Sequence, residues 1–577
     1  MTTQPALRTS DTESAQPTGG AFPAVDFLGR ISLMAFAAGM MTLAFTPAGQ
    51  WYVAWLAMAP WLIAVRSTRS ALRAGLWGWL GFALILVCNQ LYLGHLRLFA
   101  PPALALYLAL PAGIGAAVMH AGGVLQVAPG TRAGGWILRA AAVAAVWCAM
   151  EWVRGNVGSA IPWLYLSHSQ ASVRSLCQIA DVTGAYGISF CLMLVNALVA
   201  VTWTQRRQAK RRAMLGAWAI ALAMLVAVNL YGLYRLRQAT QAPGPVVLSI
   251  QPNDRNVAGL MTTDRERSTV AALMAATMDA LREHPADLVL WPESSMPPLN
   301  DEALSLLGRY PSGAFYARVQ HGLHALAASQ GTSLITGGRW VAGHHDAEGK
   351  VVFEEFRNSA YYFDAHHSNL ERYDKTVLMP YGEDVPLRGI PFLHRLLLHL
   401  TPNTEQYITS IDPKQRLTVF GLRSRDGAAY RFVTPICYED LDALFIRRMV
   451  REGASAGGDK SSKRADFIAV LSNEAWFDFG EPIQHLQSAV FRCIENRVPA
   501  VRCVNGGISA LIDSCGRVKQ SLAINISGSI NGELQLDSRQ TFYTRWGDVF
   551  AGACGVVTVV VLAGGVRGRL TRRTCES

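Results

Sequence analysis

Three turns carry the residues able to do chemistry. The run Tyr430-Arg431-Phe432-Val433-Thr434-Pro435-Ile436 ends at Cys437 and opens into the polar Tyr438-Glu439-Asp440. Leu288-Val289-Leu290-Trp291 runs into Pro292-Glu293, and Tyr373-Asp374-Lys375 precedes Thr376-Val377-Leu378-Met379-Pro380. A thiol, a carboxylate and an amine near strand ends supply a nucleophile, a base and a charge stabiliser. Each has a plainer reading alone: a sheet cysteine, a surface carboxylate, a solvated lysine. Cys437 stands before a helix expected at 441–450, whose N-terminus would lower the thiol pKa. Glu293 follows Trp291-Pro292, an apolar setting that raises a carboxyl pKa toward useful base values. Lys375 would place a cation near a developing oxyanion.

The surrounding elements read as an alternation. Strands are expected at 246–250, 287–291, 333–336, 361–363, 431–436, 467–471 and 500–504, and helices at 269–281, 315–328 and 484–495. Strand–helix alternation of this kind makes an α/β layered sheet. A block of about 300 residues, 239–546, has the composition of a globular catalytic domain and is long enough to bury a core.

The rest of the chain differs. Of 577 residues, 51% are hydrophobic and 16% charged, against about 25% charged in soluble proteins. Residues 1–26, rich in Thr, Ser, Gln and Pro, read as a disordered tail without a cleavable leader. Apolar runs follow at 31–47, 51–65, 74–93, 101–124, 136–152, 185–203, 213–234 and 549–566, about eight spans. The domain plan is therefore the tail, a transmembrane domain of about seven helices at 27–238, the catalytic block at 239–546, and a final span with a tail at 547–577. Basic residues cluster after alternate runs: Arg66, Arg69 and Arg73; Arg132 and Arg139; Arg206, Arg207, Lys210, Arg211 and Arg212; Arg567, Arg569, Arg572 and Arg573. The positive-inside bias puts these loops and both termini in the cytoplasm, and the catalytic block outside, in a periplasm. The net charge of +11 belongs to those loops, and no nucleic-acid motif accompanies it. Cys88, Cys148, Cys191 and Cys554 lie in apolar runs. No CxxC or Cys/His ligand spacing occurs, and His344-His345 and His366-His367 sit in polar loops, so no metal is expected.

The motifs, taken in order, resemble the bacterial apolipoprotein N-acyltransferases, membrane-bound members of the nitrilase superfamily. They are Trp291-Pro292-Glu293; Tyr373-Asp374-Lys375 through Leu378-Met379-Pro380-Tyr381-Gly382-Glu383 and Val385-Pro386; Cys437-Tyr438-Glu439; Asn473-Glu474-Ala475-Trp476-Phe477; Gln484-His485-Leu486-Gln487; Glu495-Asn496-Arg497; Val501-Arg502; and Asn505-Gly506-Gly507-Ile508-Ser509. In the membrane part Glu151-Trp152-Val153-Arg154-Gly155, Pro162-Trp163-Leu164 and Gly184-Ala185-Tyr186-Gly187 also fit. The resemblance implies an α-helical transmembrane bundle joined to an α-β-β-α layered nitrilase-like domain. It implies a catalytic Glu293–Lys375–Cys437 triad supported by Glu383, Tyr438 and Glu439. The implied reaction takes an acyl chain from a phospholipid as a Cys437 thioester. It passes the chain to the α-amino group of a diacylglyceryl-modified apolipoprotein, the last step of lipoprotein maturation, with no cofactor. Membrane lipids are the other partners, nucleic acid is not, and the protein would be an inner-membrane monomer.

One stretch departs from that pattern. The family usually continues its first strand with Gln-Gly-Asn and a tryptophan; here it is Gln251-Pro252-Asn253, with Leu260 or Met261 in the tryptophan's region. Residues 453–464 read as a polar insertion. Phe392, Leu393, Leu396, Leu397 and Leu400 share one helical face, which suits either a lid against acyl chains or ordinary packing. Two rivals remain: a membrane-tethered nitrilase-type amidase, and a transporter or receptor, against which the scarcity of charge within the spans argues.

Overall fold

The computed structural model describes residues 25–45, 48–95, 100–128, 130–207, 210–238, 241–254, 263–385, 389–400, 409–412, 417–451, 463–477 and 479–576. The expected tail at 1–26 falls almost wholly outside the described residues, as do Leu260, Met261 and most of the insertion at 453–464.

The chain is a multi-pass membrane protein. Among the described residues, seven helices are long and apolar enough to cross a bilayer: Phe27–Ala44, Ala71–Asn89, Ala100–Ala121, Ala133–Asn156, Tyr186–Gln205, Arg211–Arg237 and Val549–Arg567. The second expected run, 51–65, is shorter, Trp51–Arg66, and its helix is interrupted between Ala57 and Ala59. Backbone groups exposed by a break inside a membrane must find partners in protein. Asn196 provides them: its Oδ1 accepts from Met58 N at 2.8 Å and Ala59 N at 2.9 Å, and its Nδ2 donates to Ala54 O at 3.0 Å. Small residues let other helices close up. A Cβ at Gly78 would stand 2.4 Å from the Ala116 Cβ.

The catalytic block is two facing six-stranded sheets between helices. The first contains β1 (Gln241–Gln251), β2 (Leu288–Met296), β3 (Ser333–His345), β4 (Val351–Phe363), β5 (Leu370–Asp374) and β12 (Gly528–Asp537), in the order β12-β1-β2-β3-β4-β5. The second contains β6 (Phe420–Arg423), β7 (Ala429–Val433), β8 (Phe467–Asn473), β9 (Ala500–Asn505), β10 (Ala510–Ile512) and β11 (Val518–Ser521), in the order β11-β10-β9-β8-β7-β6. Side chains alternate across a strand, and β2 shows the result. Leu288 and Leu290 enter the core between the sheets with Phe432 and Phe467. Val289 and Trp291 enter a second core under helices Thr263–Glu283 and Pro311–Gln330. On the far side lie helices Ala443–Arg451 and Glu481–Asn496. This is the α-β-β-α layering expected.

Strands β5, β6, β10, β11 and β12 were not foreseen; they are short, exposed or mixed in polarity. A second correction concerns the chain after Cys437. The helix begins at Ala443 rather than 441, and a 3-10 turn, Cys437–Leu441, intervenes. The thiol is therefore not at that helix's N-terminus.

Candidate active site

Glu293, Lys375 and Cys437 come together at the ends of three strands from both sheets. Glu293 lies in β2 where the pairing with β3 shifts register, and Lys375 follows β5, its backbone N–H donating to Asn358 O at 2.8 Å. Cys437 opens the 3-10 turn with φ +51°, a left-handed conformation that costs a non-glycine residue energy and is typically held by its surroundings. Lys375 Nζ is 3.5 Å from Glu293 Oε1 and 2.8 Å from Glu383 Oε2. Asn358 Nδ2 donates to Glu293 Oε1 at 2.7 Å and to Glu383 Oε1 at 3.0 Å. One amine and one amide thus hold two carboxylates side by side, and Lys375 is 1% exposed.

The charges set the proton positions. Burial, opposed in part by Lys375 and reinforced by Glu383, raises the Glu293 carboxyl above its ordinary value. Burial works against the charge of Lys375, but Glu383 and Glu293 outweigh it and hold the ammonium above the usual lysine value. Burial, then the Glu293 charge, pushes the Cys437 thiol up to about 12, against the pull of Lys375, His485 and a hydrogen bond with Ser472. Helix-end activation of a free thiolate, expected from the sequence, is replaced by a neutral resting thiol next to a carboxylate. Such a thiol needs a general base at the moment of attack.

The turn is held by the three residues after the cysteine, each reaching a different element. Tyr438 Oη donates to Ala160 O at 2.7 Å, in the membrane part. Glu439 accepts from Thr376 N at 2.7 Å, Val377 N at 3.0 Å, Tyr373 Oη at 2.8 Å and Ile436 N at 2.8 Å, so it ties the Lys375 segment to the Cys437 turn. Asp440 takes His485 Nε2 at 2.5 Å and the Arg502 guanidinium. Sequence reasoning missed Asp440, His485 and Arg502 as supports and Asn358 as a donor. Motif stretches quoted above contain His485 and Arg502, but nothing local showed that they meet.

Among the described residues one group has metal-ligand atoms close together: Glu474, Glu481 and His485, within 4.8 Å. His485 Nδ1 is 2.9 Å from Glu474 Oε1 and 3.3 Å from Glu481 Oε1, while Nε2 faces Asp440. Burial opposes the imidazolium, but Asp440 and Glu474 hold it well above the usual histidine value. His485 thus faces carboxylates through both ring nitrogens, the arrangement of an ion-pair cluster.

The membrane and catalytic motifs meet directly. Trp163 Nε1 donates to Gln484 Oε1 at 2.6 Å and Ala185 N to Glu495 Oε1 at 3.0 Å, while Trp152 Nε1 donates to Asp548 Oδ2 at 2.9 Å, at the start of the last span. The Gln251-Pro252-Asn253 departure forms a loop contact instead: Gln251 Nε2 donates to Ala523 O at 3.0 Å and Ile526 O at 2.7 Å, and Asn253 Nδ2 to Asn525 O at 2.8 Å. In helix Pro391–Leu400, Phe392 is exposed; the side chains of Leu393, Leu396 and Leu400 lie outside the described residues.

Two family models match, the apolipoprotein N-acyltransferase N-terminal domain over residues 37–198 and carbon-nitrogen hydrolase over 249–544. A curated apolipoprotein N-acyltransferase from Geobacter metallireducens is 29% identical over 72% of this chain and 72% of its own length. One from Azotobacter vinelandii is 29% identical over 89% of this chain and 91% of its own. A solved amidase from Nesterenkonia sp. is 14% identical, covering 54% of this chain and 95% of its own at a TM-score of 0.32.

Proposed function

The chain belongs to the carbon-nitrogen hydrolase family, and we propose that it is an acyltransferase of the apolipoprotein N-acyltransferase kind, acting on lipid and lipoprotein substrates. The observation that carries this reading is the buried Cys437–Glu293–Lys375 cluster, in a chain whose membrane half matches the N-acyltransferase domain. A small-amide hydrolase needs the first but not the second.

In the first half-reaction Glu293 takes the Cys437 proton as the sulfur attacks a phospholipid ester carbonyl. Lys375 faces the developing oxyanion. The C–O bond breaks, and the lysophospholipid leaves with the proton returned by Glu293, which leaves an acyl thioester. In the second, the α-amine of a diacylglyceryl-modified apolipoprotein attacks the thioester, Glu293 accepts the amine proton, and the C–S bond breaks as Glu293 returns that proton to the departing sulfur, giving an amide and the free thiol. This is ping-pong chemistry, and its energy comes from converting an ester into an amide. Glu383 fixes Lys375, Glu439 fixes the turn, and Tyr438 links the turn to the membrane part. The arginine-rich loops support an inner-membrane placement with the catalytic block in the periplasm, and the domain plan 27–238, 239–546 and 547–577 follows the same division.

Incubation with phospholipid alone tests the reading. Mass spectrometry is expected to find an acyl chain on Cys437, released by neutral hydroxylamine. An active, folded enzyme whose acyl chain maps elsewhere, or which stays active as Cys437→Ala, would sink it.

A further inference from the structure

Helix Ala443–Arg451, which follows the Cys437 turn, is two-faced. Phe445, Ile446, Met449 and Val450 are buried, whereas Arg448 and Arg451 are exposed. Between them Arg447 turns toward helix Phe542–Trp546: its Nε donates to Tyr543 O at 3.1 Å and Thr544 O at 2.9 Å. Arg447 Nη2 donates to Arg545 O at 3.0 Å, and Arg451 Nη1 to the same carbonyl at 2.7 Å. These bonds bring the basic end of one helix onto the short helix that leads into the final span, Val549–Arg567.

That short helix shows solvent an aromatic pair. Phe542 and Trp546 are 45% and 56% exposed, with ring centroids 6.4 Å apart, and the Arg545 guanidinium lies 5.4 Å from the Trp546 ring. Asp548, the nearby acid, is taken by Tyr543 at 2.8 Å and Trp152 at 2.9 Å. Among the described residues neither Arg451 nor Arg545 has a carboxylate partner. Exposed aromatics at a span end sit at headgroup level in a bilayer, so these guanidiniums lie at the height of lipid phosphates.

We propose that Arg451 and Arg545, with Phe542 and Trp546 beside them, form a docking surface for the headgroup of an anionic phospholipid, separate from the acyl-donor site at Cys437. Their positive charges attract a phosphate at the membrane surface, and the rings pack on the glycerol and upper acyl segments. The proposal rests on the membrane reading of Val549–Arg567 and not on the acyl-transfer reading.

The test uses the full chain as Cys437→Ala, so that no acyl transfer consumes lipid, in nanodiscs of phosphatidylcholine containing phosphatidylglycerol. After extraction, native mass spectrometry reads the lipid retained. Phosphatidylglycerol is expected to stay bound in preference to phosphatidylcholine. The double variant R451E/R545E is expected to lower retention by about tenfold or more, for loss of two basic contacts with an anionic surface. R451K/R545K, which keeps the charges, is expected to retain most of it, separating charge from folding. Equal retention by R451E/R545E, or no preference over phosphatidylcholine, would overturn the proposal. Retention lost equally in the lysine and glutamate variants would also overturn it, since the arginines would then matter to folding alone.

Discussion

Two buried charge clusters lie on either side of the Cys437 turn and are built in opposite ways. On the Lys375 side, one ammonium serves two carboxylates, Glu293 and Glu383. On the His485 side, an imidazolium and the Arg502 guanidinium face Asp440 and Glu474 in close pairs. The first cluster leaves negative charge in excess next to a thiol and pushes proton affinities up. In the second, burial of Asp440 is outweighed by His485 and Arg502, and its carboxyl is held below the usual range. An unbalanced cluster can exchange a proton with a substrate; a balanced one cannot do so cheaply, and serves to hold a strained turn in place.

The largest expected effect follows from removing a reactive member. Glu293→Gln should slow thioester formation by about 10²–10⁴-fold, as for loss of a general base, and Lys375→Ala by at least about 10²-fold, as for loss of an oxyanion donor. Single-turnover acylation read by mass spectrometry checks both, and near-normal rates would erase the distinction between the clusters. Next comes Asp440→Ala. It leaves Arg502 and His485 buried with a missing partner, and should destabilise the catalytic block by about 3–5 kcal/mol, seen as a lowered thermal midpoint. A variant as stable as the parent but inactive would move Asp440 into the chemistry.

The smallest effect is a slope with pH. Burial first, then the Glu474 charge, pushes the Glu481 carboxyl up to about 7, from about 4.3 in an unfolded chain. The folded state therefore binds the extra proton between those values, so this residue's contribution to stability falls as pH rises from about 4 to 7 and is flat above. Glu481→Gln should remove that part of the slope in midpoints measured across the range. An unchanged slope would show that Glu481 is ionised throughout and that the His485 cluster carries excess negative charge too.

How much of this was legible varied with sequence distance. The strands of the catalytic block that are long and apolar announced themselves by composition, and so did the spans. β5, short and mostly polar, and β12, paired with β1 across nearly 300 residues, did not. Trp291-Pro292-Glu293 and Cys437 were visible as chemistry-bearing turns because each follows a recognisable apolar strand, and Tyr373-Asp374-Lys375 because it precedes the stretch 376–380. Asp440 and His485 are 45 residues apart, and Asp440 and Arg502 62. No local pattern encodes such a pair.

The sequence by itself determined the inventory: a membrane half, a layered α/β half, and a thiol, a carboxylate and an amine at strand ends. Hydrophobic period and turn chemistry are local, so they survive reading in one dimension. Only the tertiary structure decided that the cysteine's proton affinity rises instead of falling, because burial and the Glu293 charge come from other strands. It alone put Trp163 on Gln484, Tyr438 on Ala160 and the Arg451 end of one helix on the entrance to the last span. Those contacts join residues between 94 and 321 positions apart, and only folding brings such distant residues within bonding range.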